Sequence, residues 1–302
     1  MHNPAIDWSF DGSWPYAPHW FDTPDGRIHF VDEGSRAGRP IVLIHGNPTW
    51  GYLYRHFIPP LVAAGYRVVV PDHLGFGRSD KPDAPEAYRI ERHARRLEAL
   101  LDALELRDAT LVPHDWGGPI GLYWATRHPD RVHSLALLDT FVHRPAGRVA
   151  LPLPLRLFRA RGLGELLVKG LHAIVRVFLF RAGLVRRERL TPTVRRAYLA
   201  PHRGWSARTS ILAFGREFPD GPDGRVAALQ GQIRAGLAAL ATRPVFIAWA
   251  GRDAVLTADT LALWLEDFPR ADVLRLPDAG HFLQEDAHEV IVPALVRFLA
   301  AR

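Results

Sequence analysis

Thr110-Leu-Val-Pro-His-Asp115-Trp-Gly-Gly118 is the stretch that decides the fold. An apolar run, Ala109-Thr-Leu-Val112, ends there in a tight glycine-flanked turn, and a helix is expected to follow from Pro119. A strand that turns sharply into a helix holds the residue at the bend exposed at the end of a sheet. That residue is Asp115. A serine in its place would suggest acyl transfer. An aspartate suggests attack on a saturated, electrophilic carbon, with an ester to the protein carboxylate as intermediate. Its neighbour Trp116 offers an indole N–H that can stabilise an anion.

Outward from this elbow the chain alternates strands and helices. Gly26 to Gly34 reads as an early strand with a turn, and Pro40-Ile-Val-Leu-Ile44 as a buried parallel strand broken by His45-Gly-Asn-Pro48. Tyr52 to Ala64 reads as a helix divided by Pro59-Pro60, and Tyr66 to Val70 as the next strand. Ala94, Leu97, Leu101 and Leu104 recur at helical spacing, which predicts a helix over Ile90 to Leu106. Helix Ile120 to His128 and strand Ser134 to Leu138 follow. Pro244 to Trp249 and Ala271 to Leu276 are later strands, and Glu289 to Leu299 is a closing helix. This alternation predicts an α/β fold with a mostly parallel central sheet flanked by helices.

The pattern breaks after Asp139. From about Phe141 to Phe214 there is no βα repeat, and the sequence is rich in Leu, Arg and Ala, as in Leu151 to Phe158 and Leu166 to Phe180. The second stretch is apolar, but Lys169 and Arg176 interrupt it and it is short for a membrane span. Buried helices are the plain expectation. A cap that covers a pocket and touches a membrane is the alternative. The expected division is core over 1–140, helical cap over 141–215 and core again over 216–302. No internal repeat is visible.

Composition bounds the class and not the chemistry. The 302 residues can bury a large core, and 48% hydrophobic with 23% charged residues is ordinary for a folded enzyme. Without cysteine there are no disulfides or thiolates. Met1 to Asp7 lacks a basic region followed by an apolar one, so a signal peptide is not expected. Cytoplasmic residence is the expectation. The charge of +6 comes almost entirely from arginine, Lys81 and Lys169 being the only lysines. With no basic tail or nucleic-acid motif, the charge predicts a solvated arginine-rich surface over the middle of the chain, one that attracts anions weakly at low salt.

Three residues can form a catalytic set, in the order nucleophile, acid, histidine. Asp115 lies on the elbow. Asp253 follows a strand in Trp249-Ala-Gly-Arg-Asp253-Ala-Val-Leu256. His281 follows the last strand in Pro277-Asp-Ala-Gly-His281-Phe-Leu-Gln284. Loops at the carboxyl ends of parallel strands are where such sheets gather chemistry. The histidines show no metal-ligand spacing, so no metal site is expected. Gly75-Phe-Gly77 has the wrong spacing for a dinucleotide fingerprint. His45 and His114 read as structural, with His45 a candidate hydrogen-bonder behind the pocket.

His45-Gly-Asn-Pro-Thr-Trp50, Pro71-Asp-His-Leu-Gly-Phe-Gly-Arg-Ser-Asp80, His114-Asp-Trp-Gly117 and Gly280-His-Phe-Leu-Gln-Glu285 together resemble the haloalkane dehalogenases of the α/β-hydrolase superfamily, over nearly the whole chain. The resemblance implies an α/β-hydrolase fold with a helical cap. It also implies hydrolysis of haloalkanes in two displacements. Asp115 attacks the halogen-bearing carbon, and Asn47 and Trp116 bind the leaving halide. His281 then draws a proton from water, which attacks the ester carbonyl. The backbone N–H groups of Asn47 and Trp116 stabilise the oxyanion, and Asp253 orients His281. Donors fixed where charge develops lower the barrier more than they stabilise the neutral substrate. The partners implied are a small haloalkane, water and the product halide, with no cofactor, no nucleic acid and no stable membrane anchor. Family members differ in where the acid sits, and Asp139 is the alternative to Asp253. Ala250-Gly-Arg-Asp-Ala-Val-Leu looks like the usual acid loop, so Asp253 is preferred.

Three other functions remain open at this level. An epoxide hydrolase could use the same Asp115, His281 and Asp253, but its family usually supplies two cap tyrosines, and only Tyr198 is available here. A ligand receptor without catalysis would tolerate loss of the triad, which this chain keeps. An oxygen-dependent luciferase on the same fold would share the motifs. Apolar walls would favour haloalkanes over ionised halogenated acids.

Overall fold

The computed structural model describes residues 6–143, 153–217 and 225–302. Eight strands form one sheet: β1 His19–Thr23, β2 Gly26–Glu33, β3 Pro40–Ile44, β4 Arg67–Pro71, β5 Ala109–Asp115, β6 Val132–Thr140, β7 Val245–Ala250 and β8 Asp272–Leu276. Their spatial order is β1-β2-β4-β3-β5-β6-β7-β8. β1 and β2 pair antiparallel, as do β2 and β4, and every other pair is parallel. The fold is that of the α/β hydrolases, as expected.

β3, β4, β5 and β7 are buried at every position. Strands covered on both faces need no polar alternation, and so they read as continuous apolar runs. β1 was not expected. It alternates half-buried and exposed residues at the sheet edge, and its sequence has no apolar run to announce it.

The helices of the first half are α1 Ile58–Ala63, α2 Ile90–Ala103 and α3 Gly117–Arg127. α1 is shorter than expected. Pro59 and Pro60 lack N–H groups and fit only its first turn, and the chain before it makes a separate tight turn at Gly51–Tyr54. In α2 the buried side is Ile90, His93, Ala94, Arg96, Leu97, Leu100 and Leu101. α3 starts at Gly117, earlier than the sequence suggests. Poor helix formers stand there because a Cβ on Gly117 would strike the Ile44 carbonyl, so the helix end approaches β3 closely.

Between β6 and β7 the described chain is helical: α4 Leu153–Arg159, wide helical turns over Glu165–Gly170 and Ile174–Ala182, α5 Pro192–Leu199, α6 Thr209–Glu217 and α7 Arg225–Gly236. Leu151, Pro152 and residues 218–224, which the expected boundaries touch, lie outside the described residues, as do Met1 to Ala5. The stretch Leu166 to Phe180 is not uniformly buried. Val175 and Leu179 are enclosed, whereas Leu166, Leu171 and Val177 are exposed. Among the described residues no helix is long and apolar enough to cross a membrane.

α8 Ala258–Asp267 and α9 Leu283–Ala300 complete the chain. α9 starts six residues before the expected Glu289. Its first turn buries polar Gln284, Glu285 and Asp286, and Ala287 breaks the helix (φ −148°, ψ 23°), so no amphipathic pattern marks the start. α2, α3 and α7 pack together in one layer, and α1 packs on α9 in another. A buried ion pair within this core anchors the insertion through Tyr198. Arg55 donates to both oxygens of Glu285 at 2.5 and 2.7 Å, and the Tyr198 hydroxyl donates to Glu285 Oε1 at 2.5 Å.

Candidate active site

β5 ends on Asp115, whose φ is +50°. A non-glycine residue in the left-handed region costs on the order of 1 kcal/mol or more, so its surroundings must hold it there. The Thr140 hydroxyl at the end of β6 does so by donating to the Asp115 carbonyl at 2.7 Å. Gly46 lies so close that a Cβ there would run into the Asp115 carboxylate. The bend therefore turns the side chain off the sheet end and against the loop after β3.

That loop brings Asn47. Its backbone N–H donates to Asp115 Oδ2 at 2.9 Å, and the Trp116 backbone N–H also reaches the carboxylate. The Asn47 side-chain amide donates to the Ile211 carbonyl at 3.4 Å, a long and weak bond. Trp116 is buried, with its ring edge-on to Phe141 and Phe214. The loop is pinned from behind. His73 donates its backbone N–H to His45 Nε2 at 2.9 Å, so the His45 proton sits on Nδ1 and is donated to the Gly46 carbonyl. Asp72 accepts from the Gly51 and Arg78 N–H groups and bridges the loops after β3 and β4.

The loops after β7 and β8 bring the other two groups. His281 Nδ1 shares a 2.6 Å bond with Asp253 Oδ2, and His281 Nε2 lies 3.8 Å from Asp115 Oδ1. Asp253 is fixed in turn, because its Oδ1 accepts from the Val255 and Leu256 N–H groups at 2.7 and 3.1 Å. His114 Nε2 donates to the His281 carbonyl at 2.8 Å. All three side chains are buried.

Burial raises Asp115 to about 6, against the lowering effect of His281 and the two backbone N–H groups. Burial by itself would lower His281, but Asp253 and then Asp115 outweigh it and lift the imidazole to about 9. At neutral pH the pair is carboxylate and imidazolium. Asp139 differs. Burial, reinforced by the Asp253 charge, raises it well above its ordinary value. Its Oδ1 accepts from the Ala250 N–H at 2.9 Å, whereas Asp253 holds the bond to the imidazole. Asp139, Asp253 and His281 are the one group of possible metal ligands among the described residues. An ion there would have to break the bond between His281 and Asp253.

A cavity opens onto Asn47, Asp115, Trp116 and His281. Its outer wall is Leu155, Phe158, Ile174, Phe178 and Val255, with Arg159 among them. A second cavity shares Leu155, Phe158, Phe178, Val255 and His281 and continues past Val177 and Ala182. Tyr198 lines neither; its hydroxyl is spent on Glu285. The wall residues carried no sequence signal. Apart from Val255 in the loop after β7, they belong to the insertion, where spacing records helices and not which side chain meets Asp115.

A family profile described as alpha/beta hydrolase fold matches residues 39–288. The chain is 35% identical to the cis-3-alkyl-4-alkyloxetan-2-one decarboxylase of Shewanella oneidensis, over 94% of this chain and 89% of that one. It is 37% identical to a haloalkane dehalogenase of Mycobacterium marinum, over 91% of each. The crystal structure of the haloalkane dehalogenase DatA of Agrobacterium tumefaciens superimposes with a TM-score of 0.85 at 31% identity, covering 94% of this chain and 96% of that one. The chain belongs to the α/β-hydrolase fold family, among the haloalkane dehalogenases and their decarboxylase relatives.

Proposed function

We propose that the protein hydrolyses haloalkanes to the alcohol, halide and a proton through an alkyl ester on Asp115. One observation carries the reading: a carboxylate on the elbow, two N–H groups on it, and the His281–Asp253 pair 3.8 Å away. Asp115 displaces halide from the substrate carbon. The Asn47 amide, held elsewhere only by a 3.4 Å bond, turns to the halide beside the Trp116 indole. Alkylation removes the Asp115 charge, so His281 can lose its proton and act as base toward water. Water attacks the ester carbonyl, and the Asn47 and Trp116 backbone N–H groups, already on the carboxylate, receive the oxyanion. Asp253 steadies the imidazolium. In this reading residues 141–215 form a cap over a core of 1–140 and 216–302, and the scheme uses no cofactor.

A second reading keeps the first step and changes the leaving group. It is favoured by the decarboxylase relative at 35% identity and by the two cavities that meet at His281, which suit a substrate with two alkyl chains. Asp115 would attack the ring carbon of an oxetan-2-one that bears the ring oxygen. The carbon–oxygen bond breaks and leaves a carboxylate on the neighbouring carbon. Loss of that carboxylate as carbon dioxide forms the alkene and returns Asp115 as leaving group, with no water consumed. Arg159 on the wall suits the transient carboxylate. An epoxide substrate is less well served, since no tyrosine lines the described cavity.

The deciding experiment gives the protein 1-bromohexane and a cis-3,4-dialkyloxetan-2-one in separate reactions. Bromide with hexanol, and no alkene or carbon dioxide from the lactone, supports dehalogenation. Alkene and carbon dioxide without bromide release rejects it in favour of the lactone.

A further inference from the structure

The charge of the chain is sharply divided. Residues 153–217 hold fourteen Lys and Arg against three acidic residues, a net of +11, while all other residues together carry −5. The same segment exposes apolar side chains. Of the ten large hydrophobic residues exposed among the described residues, eight lie between Leu153 and Trp205. Leu166 is 56% exposed, Leu171 59% and Trp205 50%.

Several of these side chains lie close together. Leu153 and Leu157 stand one turn apart on α4, and α4 packs on the helical turns of Glu165–Gly170. Leu166 and Trp205 flank Gly170, within contact distance of where its Cβ would be. The Lys169 ammonium sits 5.3 Å from the Trp205 ring, and Arg208 is bonded to the Lys169 and Gly170 carbonyls at 2.6 and 2.9 Å. The second cavity runs out past Val177, itself exposed.

Single exposed leucines are ordinary, but a cluster interleaved with cations is not. Phosphate groups of a nucleic acid would engage the arginines and leave the leucines in water. A bilayer rewards both, because apolar side chains enter the acyl boundary while cationic heads stay at the phosphates. We propose that the surface built by residues 153–208 docks peripherally on an anionic phospholipid bilayer. A lipid-soluble substrate then reaches the cavity beside Val177 without crossing bulk water. The docking itself does not depend on which substrate is turned over.

The test is flotation of the full chain with vesicles of phosphatidylcholine, alone or with roughly one third phosphatidylglycerol. Binding to the anionic vesicles is expected to be about tenfold stronger or more, and to weaken with salt. The Leu166→Ser/Leu171→Ser double variant should lose about tenfold in vesicle binding, as should Arg181→Gln/Arg187→Gln, with unchanged turnover of a water-soluble substrate. Failure to float with anionic vesicles overturns the proposal. So does binding indifferent to the leucine substitutions, which is charge attraction alone. Sedimentation showing a dimer that those substitutions dissociate would assign the face to a second copy, and capture of an acidic protein without vesicle binding would assign it to that partner. Either result overturns the lipid assignment.

Discussion

If His281 is the base for ester hydrolysis, its proton affinity must change in mid-reaction. In the resting protein the imidazole is held at about 9, partly by the Asp115 carboxylate 3.8 Å from Nε2. A base that is already protonated cannot take a proton from water. Alkylation turns Asp115 into a neutral ester. Two unit charges at that separation interact by about 4 kcal/mol at an effective dielectric of ~20, which is ~3 pKa units. The sign follows from the charges: a lost anion lowers the affinity of its neighbour, so His281 should fall to about 6 in the ester. The perturbation is therefore alkylation itself, and the assay is rapid quench with intact-protein mass spectrometry, following formation and decay of the hexyl adduct against pH. Adduct formation should decline as pH falls through about 6, where Asp115 becomes protonated. Adduct decay should rise with pH and level off above an apparent pKa of about 6. Decay that still titrates near 9 would refute the electrostatic coupling. Decay independent of pH, or unchanged in His281→Ala, would remove His281 from the step.

Further outcomes follow from the same geometry. Trp116→Phe and Asn47→Ala should each slow alkylation by roughly 10²-fold, about 3 kcal/mol, in single-turnover halide release; unchanged rates would take the halide from these residues. Asp253→Asn should cost at least ~10²-fold in turnover, whereas Asp139→Asn, which keeps an oxygen to accept from the Ala250 N–H, should stay within about threefold. The reverse order in steady-state assays would exchange their roles. Glu285→Ala strips a buried guanidinium of its partner, and thermal or urea unfolding should show a loss of roughly 3–5 kcal/mol. A change under 1 kcal/mol would mean that Arg55 finds another partner.

Much of the fold was legible because its central strands are covered on both faces. Burial leaves an apolar run with no alternation, and Pro40–Ile44 and Ala109–Val112 carry that mark without help from the rest of the chain. The elbow was legible for a different reason. Gly46, Gly117 and Gly118 stand where Cβ atoms would strike Asp115, Ile44 and Thr140, so local sequence records a close tertiary approach. Edge strand β1 and the polar first turn of α9 left no such record, since neither buries a repeating apolar face.

For the candidate site, the sequence by itself determined which chemical groups lie at successive strand ends, because strand ends are set by local pattern. It could not determine which carboxyl faces the imidazole. Asp139 and Asp253 both follow strands, and only the tertiary structure decides between them, through the Ala250 N–H that holds one and the His281 ring that meets the other. The same holds for the wall. Leu155, Phe158, Arg159 and Phe178 come to Asp115 from an insertion whose helices could pack on the sheet in many ways, and a side chain's distance to a partner far along the chain is not written in its own neighbourhood. Proton affinities belong to that second class, because burial and charge at 3.8 Å exist only after folding.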